Sequence, residues 1–321
     1  MRLKRMLEKC LRDQWSVEDL DWNRRPRELS RKDEEAVVQY FTDMAGIERL
    51  AAALFSEQQK SADDSTLAAI FESFVVDEIR HSHAAQRLAD FYNVHHYRSY
   101  PMNQSLVKFA PHFVASIRYL TPGVANAYIT AGEIILDIAL LRSLNDFVND
   151  EMSKEAMHLI NRDESRHIAV DYQMADYYSS PKYVAQLKEE VRKPLGEELR
   201  AWWCFANVIY HAAPFFKEVF FKPMELTDPT GKRMLEAFKR IQLLANKSRV
   251  KQRPFIRFML TLQSLFNHPI VGLIFGRILL RMLGVEPQVL RTLYSDAELK
   301  RAERMTMDEL AHETLAQKFA G

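Results

Sequence analysis

Apolar residues recur along this chain at steps of three and four, the spacing that lines one face of an α-helix. They mark a first helix over 33–57. Ser61-Ala62-Asp63-Asp64-Ser65 then interrupts it with residues suited to starting another. A second helix is predicted over 66–92. Residues 93–123 hold Pro101, Pro111 and Pro122 and read as a crossover with one short helix. A third helix covers 124–148. Asn149, Asp150 and Ser153 then mark a turn, and a fourth helix covers 154–178. Two long helical hairpins joined by one long crossover have the connectivity of a four-helix bundle. After Pro181, helical segments follow at about 183–221, 231–246, 255–266 and 271–283, with a polar helical tail from about Ala297. No segment reads as a strand. The expected fold is all-α, with an N-terminal arm (1–32), a bundle (33–180) and a C-terminal helical extension packed on it (181–321).

Composition agrees with helices. Nine glycines in 321 residues, with no Asn-Gly or Asp-Gly pair, disfavour a fold built from hairpins. A net charge of +1 gives no overall pull towards nucleic acid, and none is expected as a partner. Two local basic clusters, Arg24, Arg25 and Arg27, and Lys247, Arg249, Lys251 and Arg253, read as solvated faces before docking sites for an acidic partner. Cys10 and Cys204 stand far apart without a CxxC neighbour, which argues against a disulfide scaffold or a cysteine-held metal. The charged start, MRLKRMLEKC, lacks the apolar core of a secretory signal. The apolar stretch Ile270–Leu280 is short and carries Arg277, so no transmembrane segment is expected and the cytoplasm is the expected compartment.

The chemistry lies in a repeat. Asp77-Glu78-Ile79-Arg80-His81 and Asp163-Glu164-Ser165-Arg166-His167 both spell D-E-x-R-H. In each, the Glu and the His three residues later sit within an otherwise largely apolar stripe: Phe71, Phe74, Glu78, His81, Ala85 and Leu88 on helix two, and Met157, Ile160, Glu164, His167, Asp171 and Met174 on helix four. Helix one places Glu48 among Phe41, Met44, Ala52 and Phe55. Helix three places Glu133 among Asn126, Ile129, Leu136 and Leu140. Glu48 and Glu78 are 30 residues apart and Glu133 and Glu164 are 31 apart, each pair straddling its turn almost evenly. In antiparallel hairpins all four acids therefore come to one level. A carboxylate buried alone is too costly to persist ionised, so four need compensation. Two divalent cations would balance four negative charges, and mixed carboxylate and imidazole donors suit iron or manganese. The predicted metal ligands are Glu48, Glu78, His81, Glu133, Glu164 and His167.

Neighbouring positions have supporting roles. Asp77 and Asp163 are placed to accept the second N–H of a ligand imidazole, from their own hairpin or across the bundle. Arg80 and Arg166, three residues on, are placed to pair with them. Asp137, one turn past Glu133, is a candidate proton relay or additional ligand, weighed against a structural hydrogen bond. His83, His95, His96 and His158 lie off the stripes and read as surface histidines. Glu57 and Glu72 read as solvated.

This ligand set resembles that of the ferritin-like di-iron carboxylate proteins, whose twin ExxH motifs and two further Glu residues map onto these six positions. The resemblance covers roughly 33–178. It implies a ferritin-like four-helix bundle, two iron ions cycling between Fe2+ and Fe3+ (manganese being an alternative), and O2 as co-substrate. Several branches of the family fit poorly. Radical-generating ribonucleotide reductase subunits carry a Tyr where this chain has Ala85. Ferritins end with the bundle, and rubrerythrin-like proteins need cysteine pairs. Arylamine N-oxygenase-like proteins and acyl-carrier-protein desaturases resemble the chain more closely. The former have an extra His where Ile160 stands, and the latter a Thr near Leu136 and Asp137. The implied activity is oxygenase or oxidase chemistry (hydroxylation, N-oxygenation or desaturation) on a small organic or acyl substrate. It would draw electrons from an external ferredoxin or flavin reductase, with the C-terminal helices covering the bundle or pairing subunits in a homodimer. The competing expectation is a ferroxidase-type iron-binding or oxidative-stress protein.

Overall fold

Each helix must find partners for the N–H groups of its first turn, and here polar side chains at the breaks supply them. The structure is a computed structural model describing residues 3–189, 194–283 and 286–317, and among these no residue is in a strand. Helix α1 (Leu3–Arg12) and a 3-10 turn at Val17–Asp19 come first. Ser30 caps α2 (Arg31–Lys60), and Asp64 caps α3 (Ser65–Tyr92), accepting from the Leu67 N–H at 2.9 Å. The crossover carries α4 (Gln104–Tyr119). Helix α5 (Pro122–Ile134) continues through a π-helical stretch, Ile135–Leu141, into α6 (Arg142–Val148) without a break. Asn149 then adopts the left-handed conformation, with φ of 45°, and Asp150 caps α7 (Glu151–Tyr177).

Helices α2 and α3 pack along each other, as do α5–α6 and α7, while α2 also touches α5 and α3 touches α7. The core these rods enclose is divided. One apolar cluster holds Phe41, Met44, Ala85, Leu88, Met157 and Ile160, and the other holds Phe55, Phe71, Phe74, Ile129, Val170 and Met174. On α2, α3 and α7 the predicted ligands fall between the residues just named from one cluster and those from the other, so a polar layer interrupts the hydrophobic interior.

The remaining elements are α8 (Pro181–Glu189), α9 (Leu195–Phe215), a π-helical stretch at Phe216–Phe221, α10 (Lys222–Thr227), α11 (Lys232–Ala245), a 3-10 turn at Val250–Gln252, α12 (Pro254–Asn267), α13 (Val271–Leu283), α14 (Pro287–Leu290), α15 (Asp296–Arg304) and α16 (Met307–Ala316). Helix α4 packs on α2 and α9, α11 on the π-helical stretch after α5, and α16 on α7. The cover from α11 explains why the sequence ILDIALL is apolar nearly all round: all seven of its residues are buried. The combined helix Pro122–Val148 is long and apolar enough by length and composition to cross a membrane, which the sequence reading did not anticipate. Its apolar window is 72% buried inside the protein.

Three details differ from the sequence expectation. The crossover helix runs for 16 residues, with Pro111 inside it, because α2 and α9 hold it on both sides. The segment expected as one helix over 183–221 is described as α8 up to Glu189 and as α9 from Leu195, with Pro194 outside helical geometry; residues 190–193 lie outside the described ones. The N-terminal arm is docked: α1 packs on α3 and α7, and Cys10 is fully buried.

Asp150 ties three segments together. It accepts from the Met152 N–H at 2.9 Å as helix cap, from the Tyr92 hydroxyl at 2.9 Å and from the Arg27 N–H at 2.9 Å. Replacing it would leave the buried Tyr92 hydroxyl without this partner. Asp150→Ala is expected to lower unfolding free energy by roughly 2–4 kcal/mol, from one cap and two hydrogen bonds. Urea titration of both proteins checks this, and a loss below about 0.5 kcal/mol would contradict it.

Candidate metal centre

All four rods present acids to one layer. Glu48 comes from α2, Glu78 and His81 from α3, Glu133 from α5, and Glu164 and His167 from α7. All six are buried, with exposure between 0% and 3%. Their donor atoms form two groups that could each hold a metal ion: Glu48, Glu78, His81 and Glu164, and Glu78, Glu133, Glu164 and His167, with donors within 4.8 Å of one another in each. Glu78 and Glu164 belong to both groups. Asp137, buried on the π-helical stretch, belongs to neither.

The donors fit cations better than they fit each other. Both oxygens of Glu48 and of Glu78, one of Glu133 and one of Glu164 are buried without a hydrogen-bond partner. His81 Nδ1 lies 3.0 Å from Glu164 Oε1 but lacks hydrogen-bond geometry, and His167 Nδ1 lies 2.9 Å from Glu78 Oε1. Unsatisfied carboxylate oxygens at this density are costly unless a positive ion collects them.

Charge states follow from the crowding. Burial, then repulsion from Glu78 and Glu164, pushes the Glu48 carboxyl far up, and burial with Glu164 does the same to Glu133. Burial and Glu164 also raise Glu78. Glu164 goes the other way: burial opposes ionisation, but His167, a hydrogen bond from Glu133 and both imidazoles together hold it well below the usual range. His81 and His167 rise well above theirs, since the acids around them outweigh the cost of burying an imidazolium. Without metal, the acids therefore share protons with the imidazoles.

The second imidazole nitrogens are held crosswise. His81 Nε2, on α3, lies 3.2 Å from Asp163 Oδ2 on α7, and His167 Nε2, on α7, lies 3.4 Å from Asp77 Oδ2 on α3. The other nitrogen, Nδ1, of each ring is thereby turned inwards. Arg80 donates to Asp77 at 3.0 Å and to Asp163 at 3.3 Å, and the buried Arg166 donates to Asp163 at 2.7 Å and to Asp77 at 3.2 Å. Two aspartates and two arginines thus form one closed square behind the imidazoles. Asp163 is drawn down to about 2: burial opposes ionisation, but His81, Arg166 and the Trp15 N–H outweigh it.

Several participants were not foreseen. Trp15 Nε1 donates to Asp163 Oδ2 at 2.7 Å and its ring stacks 6.5 Å from His81, while Gln14 Nε2 donates to Asp77 at 3.3 Å. Both come from the arm, over 60 residues distant in sequence, and only their polar-aromatic character could have hinted at it. Phe74 and Phe55 wall His167 at centroid distances of 4.1 and 5.2 Å. Asp171, one turn past His167, is fully buried with both oxygens unpartnered, and burial raises its carboxyl far above the usual range. It stood on the predicted stripe without a role. His83, His96 and His158 are exposed, and His95 is 48% exposed with Nδ1 2.7 Å from Glu34. Glu72 is exposed. Glu57 is only 19% exposed, a correction to its reading as solvated, because Lys60 at 2.8 Å and Arg118 at 3.3 Å enclose it.

A cleft of about 580 Å³ opens beside α2, lined by Val37, Tyr40, Asp43, Leu144, Phe147 and Lys222 among others. The Tyr40 hydroxyl is buried without a hydrogen-bond partner. Its pKa is raised well above the usual value, first by burial and then by the charge of Glu48. Comparison of the chain with protein-family models, with curated proteins and with solved structures returns no match.

Metal uptake must expel the protons that the raised Glu and His groups hold, because only deprotonated donors ligate. Affinity for a divalent ion is therefore expected to climb with pH, by about tenfold per unit for each proton released. Calorimetry in buffers of different ionisation enthalpy counts those protons, and pH-independent binding without proton release would contradict the site. In the metal-free chain the sign reverses. There the folded state holds protons that the unfolded chain gives up, so these groups weaken folding as pH rises.

Proposed function

We propose that the chain is a ferritin-like di-iron protein that uses O2 to oxidise a small organic or acyl substrate, with electrons from an external ferredoxin or flavin reductase. The observation that carries this reading is the pair of four-donor groups of identical composition sharing Glu78 and Glu164. In this reading Glu78 and Glu164 serve both ions, Glu48 and His81 complete one position, and Glu133 and His167 complete the other. Two Fe2+ ions would neutralise the four carboxylates, and the same donors suit manganese. When bound, such a pair supplies electrons to O2 and an oxidant strong enough for hydroxylation, N-oxygenation or desaturation.

The chain's own residues prepare that chemistry. Asp163 and Asp77 accept the Nε2 protons of His81 and His167, so both rings offer Nδ1 to the interior. Arg80 and Arg166 donate to both aspartates and so hold their carboxylates in place behind the rings. Phe55 and Phe74 exclude water from around His167. Asp171, whose carboxyl burial pushes upwards, lies four residues from His167, and Asp137 is the candidate for moving protons at its carboxyl oxygens one turn beyond Glu133.

The cleft beside Tyr40 favours substrate oxidation over iron storage, because about 580 Å³ suits a small organic molecule. Tyr40, on the same helix as Glu48, lines that space. Both free cysteines are buried, which suits a reducing compartment such as the cytoplasm.

Anaerobic loading followed by metal analysis should return about two irons per chain. Glu164→Ala, which removes a shared donor, should bring this below about one, whereas Glu48→Ala should leave about one. Full stoichiometry in both Glu78→Ala and Glu164→Ala would sink the reading. With a chemical reductant present, O2 uptake should become catalytic on adding a cognate amine or acyl substrate. Uptake tied only to the iron added, whatever organic compound is present, would favour the ferroxidase alternative.

A further inference from the structure

Helix α13 reads VGLIFGRILLRML, with Arg277 and Arg281 its only polar side chains, yet one of its faces is left uncovered. Leu273 is 84% exposed, and Ile274 and Ile278 are more than half exposed. Helix α12, against which it packs, has no buried residue. Their hairpin closes tightly, since a Cβ on Gly272 would lie 2.2 Å from the Phe266 carbonyl oxygen. Helix α9, also in contact with α13, adds an outward stripe of Leu195, Leu199, Trp202, Trp203 and Tyr210, each at least 61% exposed. Rings join the surfaces: Trp202 meets Phe205 at 6.2 Å, and Phe205 meets Phe258 of α12 at 6.1 Å. An exposed apolar face of this extent is unusual for a protein surrounded only by water.

Charge identifies what covers it. Helices α12 and α13 carry Arg257, Arg277 and Arg281 and no Asp or Glu, while α9 adds Arg200 together with Glu197 and Glu198, in a chain whose net charge is only +1. Arg257, Arg277 and Arg281 in α12 and α13 are exposed, and none pairs with a described acid. A second copy docking its α12 and α13 against these same helices would bring like charges together. A duplex nucleic acid would meet Leu273 and Ile274 where it needs polar donors. An anionic lipid surface satisfies both properties: its headgroups take the arginines and its acyl boundary takes the aliphatic and indole side chains. Helix α13 has 13 residues and spans roughly 20 Å, against about 30 Å for a bilayer core, so it would lie in the interface plane and not cross.

We propose that the face formed by α9, α12 and α13 binds the surface of an anionic membrane, with Leu273, Ile274 and Trp202 entering the interface and Arg277 and Arg281 held at the headgroups. The proposal does not depend on the metal chemistry.

Cosedimentation of the full chain with phosphatidylcholine vesicles, with and without about 30 mol% phosphatidylglycerol, tests it. Binding should be at least about tenfold tighter to the anionic vesicles, should weaken as salt rises, and should shift tryptophan emission to shorter wavelength. Leu273→Asp/Ile274→Asp and, separately, Arg277→Glu/Arg281→Glu should each reduce binding by about tenfold or more while circular dichroism and metal content stay unchanged. Absence of binding to the anionic vesicles would overturn the proposal, as would equal binding by all variants. So would a concentration-dependent dimer, in gel filtration, that Leu273→Asp dissolves, for then a second copy covers the face.

Discussion

Four carboxylates held within one dry layer repel each other, and everything near them is arranged around that repulsion. Hydrogen bonding does little to relieve it, because most of the oxygens of Glu48, Glu78, Glu133 and Glu164 are buried without a hydrogen-bond partner. Positive charge relieves it, as protons or as the metal ions that these donors could hold. The apolar clusters above and below the layer raise the cost of any other solution, since they keep water out and the local dielectric low. A buried polar layer of this kind also fixes helix register, because sliding one rod by a turn would separate acids from imidazoles.

Much of this was legible in the chain because two independent periodicities coincide. The three-and-four spacing of apolar residues gave the rods, and the D-E-x-R-H repeat placed a polar pair at one level of each hairpin. The breaks before the second and fourth helices were legible for a local reason: Asp64 and Asp150 are cap residues, and a cap acts within one turn. The π-helical stretch at Ile135–Leu141 was not legible. A widened turn depends on what packs outside it, here α11, which begins some ninety residues later. Trp15 and Gln14 were hidden for the same reason, since their partners Asp163 and Asp77 are distant in sequence. That the two aspartates pair with the opposite imidazole and not the neighbouring one is also a property of helix proximity, which spacing along one helix cannot express.

The segments outside the four rods divide by what they touch. The arm before Arg31 reaches the site through Asp163 and Asp77. Helices α11 and α16 thicken the interior, covering Ile135–Leu141 and α7. Tyr172 on α7 shares a hydrogen bond of 2.8 Å with Thr314 of α16, a polar tether in a buried contact. Helices α12 and α13 do neither: they turn apolar and basic side chains outwards. One chain thus has a face committed to its own interior and a face that is not.

The crosswise pairing of Asp163 with His81 and of Asp77 with His167 bears on how the molecule assembles. Neither helical hairpin contains a finished half: each holds the imidazole that the other must orient. Docking of the two hairpins must therefore come before either ring is locked, and a nascent chain released before α7 has formed cannot build even one properly aimed position. Correct meeting of distant segments is in this way a condition for aiming the two imidazoles.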